Sequence, residues 1–439
     1  MKFNITKNYF TETALILSLI ANTIVSGISN NTSTALALKI ISSSVLLIVL
    51  YLHLLINRIH IIQFLKSGQL HRILALLLFL ITYLALSVLY SSNPLYGLNK
   101  ILNILISVFP NVIVAYFFLY RSNANTFNKI ITISSLIIIS LLMLVLWIQP
   151  FDHSTMYQFS PGRWSHVVIG RLISFLTLII LLFALSQFEY IKIITYSIVY
   201  GAGVYLTFLT GLRSAFLGLI LFSIITIILK FIYLIRTKKS NHALSLHGYS
   251  PAIFSIITLA IVFILIMFAP SGFQSGKRFE NLTKIEKLDF GDDSAIHARL
   301  DSYDLSLNII QEHPLLGIGF GGFNGYHNIE WTRIVKYSHN IIFEILSELG
   351  LFGALVFGII FYQMIRSIYN LNSGIQHLPA GRQGPASSIQ HPPFYILILF
   401  FFSLWLAMFS KDISTQGFLW LFLAAYGAKS NADSDKLPQ

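Results

Sequence analysis

Residues 213–236 read RSAFLGLILFSIITIILKFIYLIR, a strongly apolar run of 24 residues. As a helix rising about 1.5 Å per residue it would be about 36 Å long, enough to cross a hydrocarbon core of about 30 Å. Arg213 and Arg236 stand at its two ends, where long basic side chains reach the membrane surface. Comparable apolar stretches recur along the whole chain. The sequence therefore predicts an all-α, polytopic integral membrane protein with about twelve transmembrane helices.

The predicted spans are defined by length and hydrophobicity alone. They cover residues 10–28, 34–56, 73–92, 101–120, 130–150, 166–187, 190–210, 213–236, 252–269, 339–366, 394–410 and 413–428.

Composition excludes other classes of protein. The chain is 55% hydrophobic and 10% charged, whereas soluble domains are about 25% charged. The mean hydropathy of +0.74 also excludes a disordered chain. Because there is no cysteine, disulfides, Cys-ligated zinc and thiol nucleophiles are excluded. The net charge of +12 marks the loops that face the cytoplasm rather than a nucleic-acid partner.

The distribution of basic residues predicts the topology, since positive charge marks the cytoplasmic side. Alternate connections and the N-terminal segment carry sixteen Lys and Arg residues. The opposite side carries six outside its one long loop: Lys39, Lys100, Arg163, Arg171, Arg213 and Lys411. Both termini, a flexible linker at 371–393 and a tail at 429–439 are therefore predicted to be cytoplasmic.

The long loop, residues 270–338, is predicted to be external and separates a bundle of about nine spans at 1–269 from about three spans at 339–428. It holds nine of the seventeen acidic residues. A helix near 294–312 is predicted by a start signal at Asp293-Ser294 and a stop at His313-Pro314. Its apolar positions recur at helical spacing: Ile296, Leu300, Tyr303, Leu307 and Ile310. We expect a folded cap against the membrane.

Arg213 is the first candidate for chemistry. It lies at the predicted outer start of a span, where a helix N-terminus offers N–H groups and positive potential. An arginine there repels the helix dipole unless an anion lies between them. Either Arg213 binds an anionic ligand or it simply extends to the membrane interface.

Arg299 lies on the loop helix, on the same predicted side of the membrane as Arg213. It could merely form a solvated pair with Asp301 or Tyr303, which contributes little. If Arg213 and Arg299 converge, their two planar guanidinium groups are suited to a diphosphate. Arg163 and Arg171 could add to this anion site or only anchor their span.

His339 is the candidate general base. With Ser338 as the predicted N-cap, His339 falls in the first turn of a span, where the positive helix end favours the neutral, proton-accepting imidazole. The alternative is an interfacial histidine that hydrogen bonds locally. Asn340, Glu344 and Glu348 follow at steps of four and predict a polar stripe that faces protein or water rather than lipid.

Two other patterns are weaker. Residues 317–322 satisfy GxGxxG, but they follow an amphipathic helix instead of a strand, so turn-forming glycines are favoured over dinucleotide binding. His297, His313 and His327 lack the spacing of a metal site. No metal and no cofactor are predicted.

These residues together resemble the O-antigen ligase and O-antigen polymerase superfamily of bacterial membrane glycosyltransferases. The resemblance rests on Thr210-Gly211-Leu212-Arg213-Ser214 with Phe216-Leu217-Gly218, on residues 299–323, and on Ser338-His339-Asn340 with Glu348-Leu349-Gly350-Leu351-Phe352-Gly353. It covers about the C-terminal half. Leu212 departs from the small polar residue that related sequences often have there.

The resemblance implies a GT-C-like fold in the bacterial inner membrane, with Arg213, Arg299 and His339 in catalysis. The donor would be a glycan on undecaprenyl diphosphate, and the acceptor lipid A core or a second lipid-linked glycan. The arginines would hold the diphosphate, and His339 would accept the proton of the attacking hydroxyl at the periplasmic face, with inversion and without a metal.

Three alternatives stay open. A ligase and a polymerase of this superfamily differ in acceptor, and the organisation of the long loop favours a ligase. A relative that glycosylates a protein is a further member of the same class. A transporter or flippase of lipid-linked sugars would favour polar breaks in mid-span, whereas the candidates here cluster at one surface.

Overall fold

The structure is a computed structural model, and it describes only part of the chain. The described residues are 13–23, 25, 33–56, 68–121, 124–148, 166–185, 190–238, 294–326, 337–376, 394–409, 419, 421 and 422. Within these ranges the regular secondary structure is entirely helical. This confirms the predicted all-α class for the described part.

The helices follow the chain in order. They are α1 (Thr13–Thr23), α2 (Ser33–Ile56), α3 (Gly68–Val88), α4 (Pro94–Asn103), a π-helical turn (Ile104–Val108), α5 (Phe109–Arg121), α6 (Ala124–Ile148), α7 (His166–Ala184), α8 (Tyr190–Leu209), α9 (Arg213–Lys238), α10 (Ser294–Glu312), a 3-10 turn (Gly322–Gly325), α11 (Ile341–Gln376) and α12 (Phe394–Met408).

Seven described helical stretches are long and apolar enough to cross a membrane, with Pro94–Phe117 counted as one continuous stretch. Three shorter apolar stretches are Thr13–Thr23, Ile131–Val145 and Ile396–Met408. Large apolar side chains lie exposed on them, as at Leu78 (66%) and Ile191 (80%). Such surfaces suit a lipid environment, so this is a polytopic membrane protein. The predicted span 252–269 lies outside the described residues, and so does 413–428 except for residues 419, 421 and 422.

Contacts divide the chain into two compact units. Unit one comprises Met1–Phe127, Gly291–His377 and Ala407–Gln439, and unit two comprises Asn128–Phe290 and Leu378–Leu406.

In unit one, the helix predicted at 101–120 begins earlier, at Pro94. The Asn93 side chain accepts a hydrogen bond from the Tyr96 N–H at 3.1 Å, and proline at the first helical position needs no N–H partner. The hydrophobic pattern missed this start because its first turns are less apolar. Lys100, which the sequence placed in an external connection, therefore lies inside α4 and is only 3% exposed.

Buried polar groups join the N-terminal helices of unit one. The Asn22 amide donates to Asn111 Oδ1 at 2.9 Å and accepts from the Ser43 hydroxyl at 2.9 Å. Lys39, also predicted near the outer surface, is 1% exposed and donates to Asn103 Oδ1 at 2.7 Å. Each hydrogen bond satisfies groups for which lipid offers no partner.

Helix α11 is broken at Gly350, where φ is 65° and ψ is −164°. Residues 341–349 form its first arm, and residues 351–376 form its second. The second arm continues to Gln376, so residues 371–376 are helical and the prediction of a linker there is wrong. The predicted span ended at residue 366 because the last turns of the helix are polar. The rest of the predicted linker lies outside the described residues.

In unit two, α7 packs against α8 and α9. Helices α7 and α8 approach closely at Gly203, since a Cβ there would lie 2.1 Å from Thr177 Oγ1. Helix α12 packs on the start of α9, where the Trp405 indole N–H donates to the Ser214 carbonyl at 2.8 Å. Gly218 makes room for that indole, because a Cβ at Gly218 would lie 2.4 Å from its nitrogen. The start of α9 therefore contacts α12, and α9 also packs against α7.

Candidate functional site

His339 lies just before a helix rather than in its first turn. Helix α11 begins at Ile341, and the Asn340 side chain accepts from the Ile342 N–H at 2.8 Å, so Asn340 is the N-cap. The predicted N-cap, Ser338, instead donates its hydroxyl to the Asn340 carbonyl at 2.9 Å. Asparagine competes well for this position, and the sequence pattern placed the cap two residues too early.

The backbone at His339 is strained. Its φ of 56° makes it the one described residue other than glycine with positive φ. Histidine is among the residues enriched there, but the conformation still costs about 1 to 3 kcal/mol. The ring is half-buried and meets the Tyr337 ring edge to face, with 4.4 Å between centroids. Strain of this kind is common at functional sites.

Arg299 lies on α10, whose helical bounds, Ser294–Glu312, are those predicted from the start and stop signals. The Ser302 hydroxyl, one turn later, is 2.7 Å from the Arg299 carbonyl and 3.2 Å from the Ser338 carbonyl. One hydroxyl therefore connects the backbone of Arg299 to the residue that precedes His339. The structure brings the chain at these two predicted site residues together.

An aromatic contact fixes the same two helices. The Tyr303 ring of α10 lies 5.2 Å from the Phe343 ring of α11, measured between centroids. Burial raises the pKa of the Tyr303 phenol, and the positive charge of Arg299 partly opposes that increase. Arg299 is thus close enough to act electrostatically on Tyr303, and it lies half-buried beside the α10–α11 contact.

Arg213 is the first residue of α9, as the sequence predicts. The preceding turn is tight: Gly211 has a φ of 65°, and the Leu212 N–H lies 3.4 Å from Thr210 Oγ1. The Leu212 carbonyl accepts the first helical hydrogen bond, from the Phe216 N–H at 3.1 Å. Leucine has no side-chain oxygen that could cap the first N–H groups of the helix. A helix N-terminus carries a positive potential that favours an anion.

Arg171 lies close to the same turn. Its neighbour Gly170 packs on that turn, since a Cβ there would lie 2.8 Å from Thr210 Oγ1 and 3.1 Å from a methyl carbon of Leu212. Arg171 itself is 9% exposed on α7. In unit two, the backbone at Arg171 on α7 therefore lies near the turn that precedes Arg213. Arg163 lies outside the described residues.

The polar stripe of α11 was predicted to face protein or water, and its two glutamates face protein, but their partner was not predicted from the sequence. Glu344 and Glu348 are 3% and 2% exposed. Lys100 of α4 lies 2.5 Å from Glu344 Oε1 and 2.7 Å from Glu348 Oε2. Asn340, at the start of the stripe, caps the helix. Acidic residues inside an apolar span are expected to have a polar or charged partner, and that expectation was the sequence signal for Lys100.

The glycine-rich segment 317–322 forms turns. Gly317, Gly319 and Gly321 have φ values of 67°, 86° and 82°. The segment passes close to α4, because a Cβ at Gly321 would lie 2.4 Å from the Gly97 nitrogen. These glycines provide left-handed backbone and close approach, as the sequence favours.

In the described part of the long loop, no metal centre is formed at the histidines. Among the described residues there is no group of three His, Cys, Asp or Glu side chains placed to hold a metal ion. His297 and His313 are exposed, and His327 lies outside the described residues.

The predicted site residues fall into both units. Unit one contains Arg299, His339 and the acidic stripe, and unit two contains Arg171 and Arg213. Within unit one the Ser302 hydroxyl connects the chain at Arg299 and His339. That Arg213 joins them at one diphosphate stays a prediction.

The part of the chain that carries the candidate site residues matches a known protein family. A family model described as O-antigen ligase matches residues 196–358. The matched range includes Arg213, Arg299 and His339. No curated protein matches the chain. The family match confirms the resemblance to the O-antigen ligase and polymerase superfamily, whose members are glycosyltransferase-like enzymes.

Proposed function

We propose that this protein, whose residues 196–358 match a family model described as O-antigen ligase, acts as a ligase. It moves a glycan from an undecaprenyl diphosphate carrier to lipid A core. The reaction takes place at the periplasmic face of the bacterial inner membrane, and both chain termini are cytoplasmic. The long-loop organisation read from the sequence favours this acceptor.

In the proposed reaction the acceptor hydroxyl attacks the anomeric carbon, and the bond from that carbon to the diphosphate oxygen breaks. His339 accepts the hydroxyl proton, and the lipid diphosphate leaves with the electron pair. Attack opposite the leaving group inverts the anomeric centre. Neutral imidazole is the usual side chain for such a proton transfer near neutral pH.

The two arginines hold the leaving group. Guanidinium groups bind phosphate oxygens through two parallel N–H donors, and preorganised donors stabilise charge that develops in the transition state. Arg213 combines its own charge with the positive end of α9. The proposed site therefore neutralises the diphosphate with protein cations, with Arg171 as an additional one.

One observation carries this proposal: within the family-matched range, the Ser302 hydroxyl lies 2.7 Å from the Arg299 carbonyl and 3.2 Å from the Ser338 carbonyl. A base and a diphosphate ligand must be held at fixed separation to act on the two ends of one breaking bond. The shared hydroxyl connects the chain at those two residues. A transporter does not require that pairing.

The activity can be tested with purified protein in liposomes that contain a lipid diphosphate-linked glycan. Separate reactions offer lipid A core or a second lipid-linked glycan as acceptor, and the products are analysed for a new glycosidic bond. We expect product with lipid A core. Product only with the lipid-linked glycan would identify a polymerase, and movement of the glycan lipid across the bilayer without a new bond would identify a transporter.

The geometric basis can be tested with a matched pair of serines. Ser302 and Ser306 are both fully buried on α10, but Ser306 donates to the Ser302 carbonyl of its own helix, at 2.6 Å. Ser302→Ala leaves the Ser338 carbonyl without this donor, so we expect turnover to fall by up to about 100-fold, the cost of a misplacement of about 1 Å. Equal turnover for Ser302→Ala and Ser306→Ala would contradict the proposed alignment.

A further inference from the structure

Three buried charged residues form an ionic clamp, defined here as Lys100, Glu344 and Glu348. All three are at most 3% exposed. The lysine lies 2.5 Å from one carboxylate and 2.7 Å from the other, and its ammonium group also lies 4.3 Å from the centroid of the Phe320 ring. The lysine thus meets α11 and the segment after α10 at one point.

The clamp holds that segment directly. The Gly321 N–H donates to Glu348 Oε2 at 2.9 Å. The break in α11 adds to the attachment: the Gly319 N–H donates to the Glu348 carbonyl at 2.8 Å, and the Leu351 N–H donates to the Pro314 carbonyl at 2.9 Å. Backbone groups freed by the break are therefore satisfied by residues 314–321. The segment and both arms of α11 form one hydrogen-bonded assembly.

Stability alone does not explain these charges. Buried ion pairs are often no more stabilising than well-packed apolar residues of the same volume, although losing a single partner is strongly destabilising. Buried charges can instead select one arrangement among several, because an alternative arrangement leaves a charge without its partner. A clamp between α4 and α11 therefore acts mainly on geometry.

The elements that the clamp joins carry the two site residues of unit one. The first arm of α11 begins at the Asn340 cap, directly after His339, and both clamp carboxylates lie on this arm. The clamped segment directly follows α10, which carries Arg299. A shift of the first arm against this segment would move His339 relative to Arg299.

We propose that Lys100 is a positioning residue for catalysis: through Glu344 and Glu348 it fixes the separation of His339 and Arg299. The catalytic part of this inference depends on the proposed glycan transfer, whereas the structural part does not. Lys100 is not required to touch the donor or the acceptor. Its removal should therefore lower kcat with little change in the donor KM.

The structural part is tested by a distance measurement that needs no substrate. The chain has no cysteine, so Leu307→Cys on α10 and Ile342→Cys on α11 provide two spin-label sites, and these side chains are 45% and 50% exposed. The distance distribution between the labels is measured by electron paramagnetic resonance. We expect one narrow distribution with the clamp intact and a broader or shifted one after Lys100→Met.

A matched control is Lys230→Met, which removes a lysine that is 8% exposed and belongs to unit two. It should leave the label distribution unchanged. If Lys100→Met does not fold, the triple variant Lys100→Met, Glu344→Gln, Glu348→Gln removes all three charges together and leaves no buried charge unpaired. We expect the triple variant to fold with a broadened distribution and a kcat about 100-fold lower.

The outcomes separate this inference from the proposed function. A folded Lys100→Met or triple variant with the narrow distribution and the kcat of the parent protein overturns the positioning role. A purely structural role predicts that the triple variant regains full turnover along with its fold. If the distribution broadens while the parent protein transfers no glycan in any assay, the clamp stands and the proposed function fails.

Discussion

At the residue scale, His339 is the proposed general base, and its backbone is strained. Any substitution at φ 56° tests the side chain and the backbone together, so alanine is a poor choice. Asparagine adopts positive φ readily but is no base at neutral pH. His339→Asn should therefore fold and bind the donor, while turnover falls about 10²- to 10⁴-fold, the usual contribution of a general base.

The measurement compares initial rates and donor binding in His339→Asn with those in His313→Asn. His313 is exposed in the turn after α10 and serves as the matched control. Transfer near the parent rate in His339→Asn would remove this residue from the mechanism. Loss in both variants would point to a general effect of histidine substitution in this region.

The role of Arg213 is tested by a substitution that keeps the positive charge but removes the planar guanidinium group. Lysine at position 213 remains a cation but cannot donate through a planar fork. We expect Arg213→Lys to lower kcat/KM by about 100-fold, comparable to removing one preorganised donor from a transition state. Arg236→Lys, at the opposite end of the same helix, is the control. If Arg213→Lys and Arg236→Lys both retain parent activity, Arg213 is an interfacial anchor.

At the element scale, the break in α11 gives a prediction about stability. Gly350 has φ 65° and ψ −164°, a region that is essentially restricted to glycine, and a Cβ there would lie 2.4 Å from the Leu315 carbonyl carbon and oxygen. Gly350→Ala should lower stability by about 1 to 3 kcal/mol from backbone strain alone. Thermal unfolding in detergent, followed by size-exclusion chromatography, measures the change.

Gly358, in the second arm of the same helix, provides the control. A Cβ there would meet nothing within 4 Å. Gly358→Ala should be neutral or stabilising by up to about 1 kcal/mol, the difference in helix propensity between the two residues. Similar midpoints for the two variants would show that Gly350 does not need its glycine conformation.

For α10, local sequence signals predict where the helix begins and ends but not which face it buries. The start at Asp293-Ser294 and the stop at His313-Pro314 bracket α10 correctly. The apolar stripe, however, does not match the buried face: Leu300 and Leu307 are 41% and 45% exposed. The most deeply buried side chains are instead Ser302, Leu305, Ser306 and Ile309.

The reason is that burial on α10 depends on hydrogen bonding as well as hydrophobicity. The Ser302 and Ser306 hydroxyls donate to backbone carbonyls and so can be buried without loss, which an apolar count does not include. The sequence pattern did not predict the break at Gly350 either. The break accompanies hydrogen bonds to residues 314–319, which are distant from Gly350 in sequence. Long-range contacts of this kind have no local pattern.

At the scale of the whole molecule, hydrophobicity alone predicts most of the architecture. Spans of about 20 apolar residues can satisfy their backbone in lipid only as helices or as strands of a closed barrel, so the positions of the apolar helices in the described part of the chain are predictable from the sequence. Contacts between helices that are distant in sequence cannot be predicted in this way. Unit one joins α4 to α11 through Lys100, although Lys100 and Glu344 are 244 positions apart in the sequence. A charge count had assigned that lysine to an external connection.

The orientation in the membrane gives the last prediction. The proposed diphosphate site requires Arg213 and the loop that carries Arg299 to lie on one side of the membrane, which the distribution of Lys and Arg predicts to be the outside. In this cysteine-free chain, Ser275→Cys should react with a membrane-impermeant thiol reagent in intact cells. Ser387→Cys, in the predicted cytoplasmic segment, should react only after permeabilisation. The reverse pattern would place the loop in the cytoplasm, where a periplasmic glycan carrier could not reach Arg299, and the proposed transfer would fail for the entire molecule.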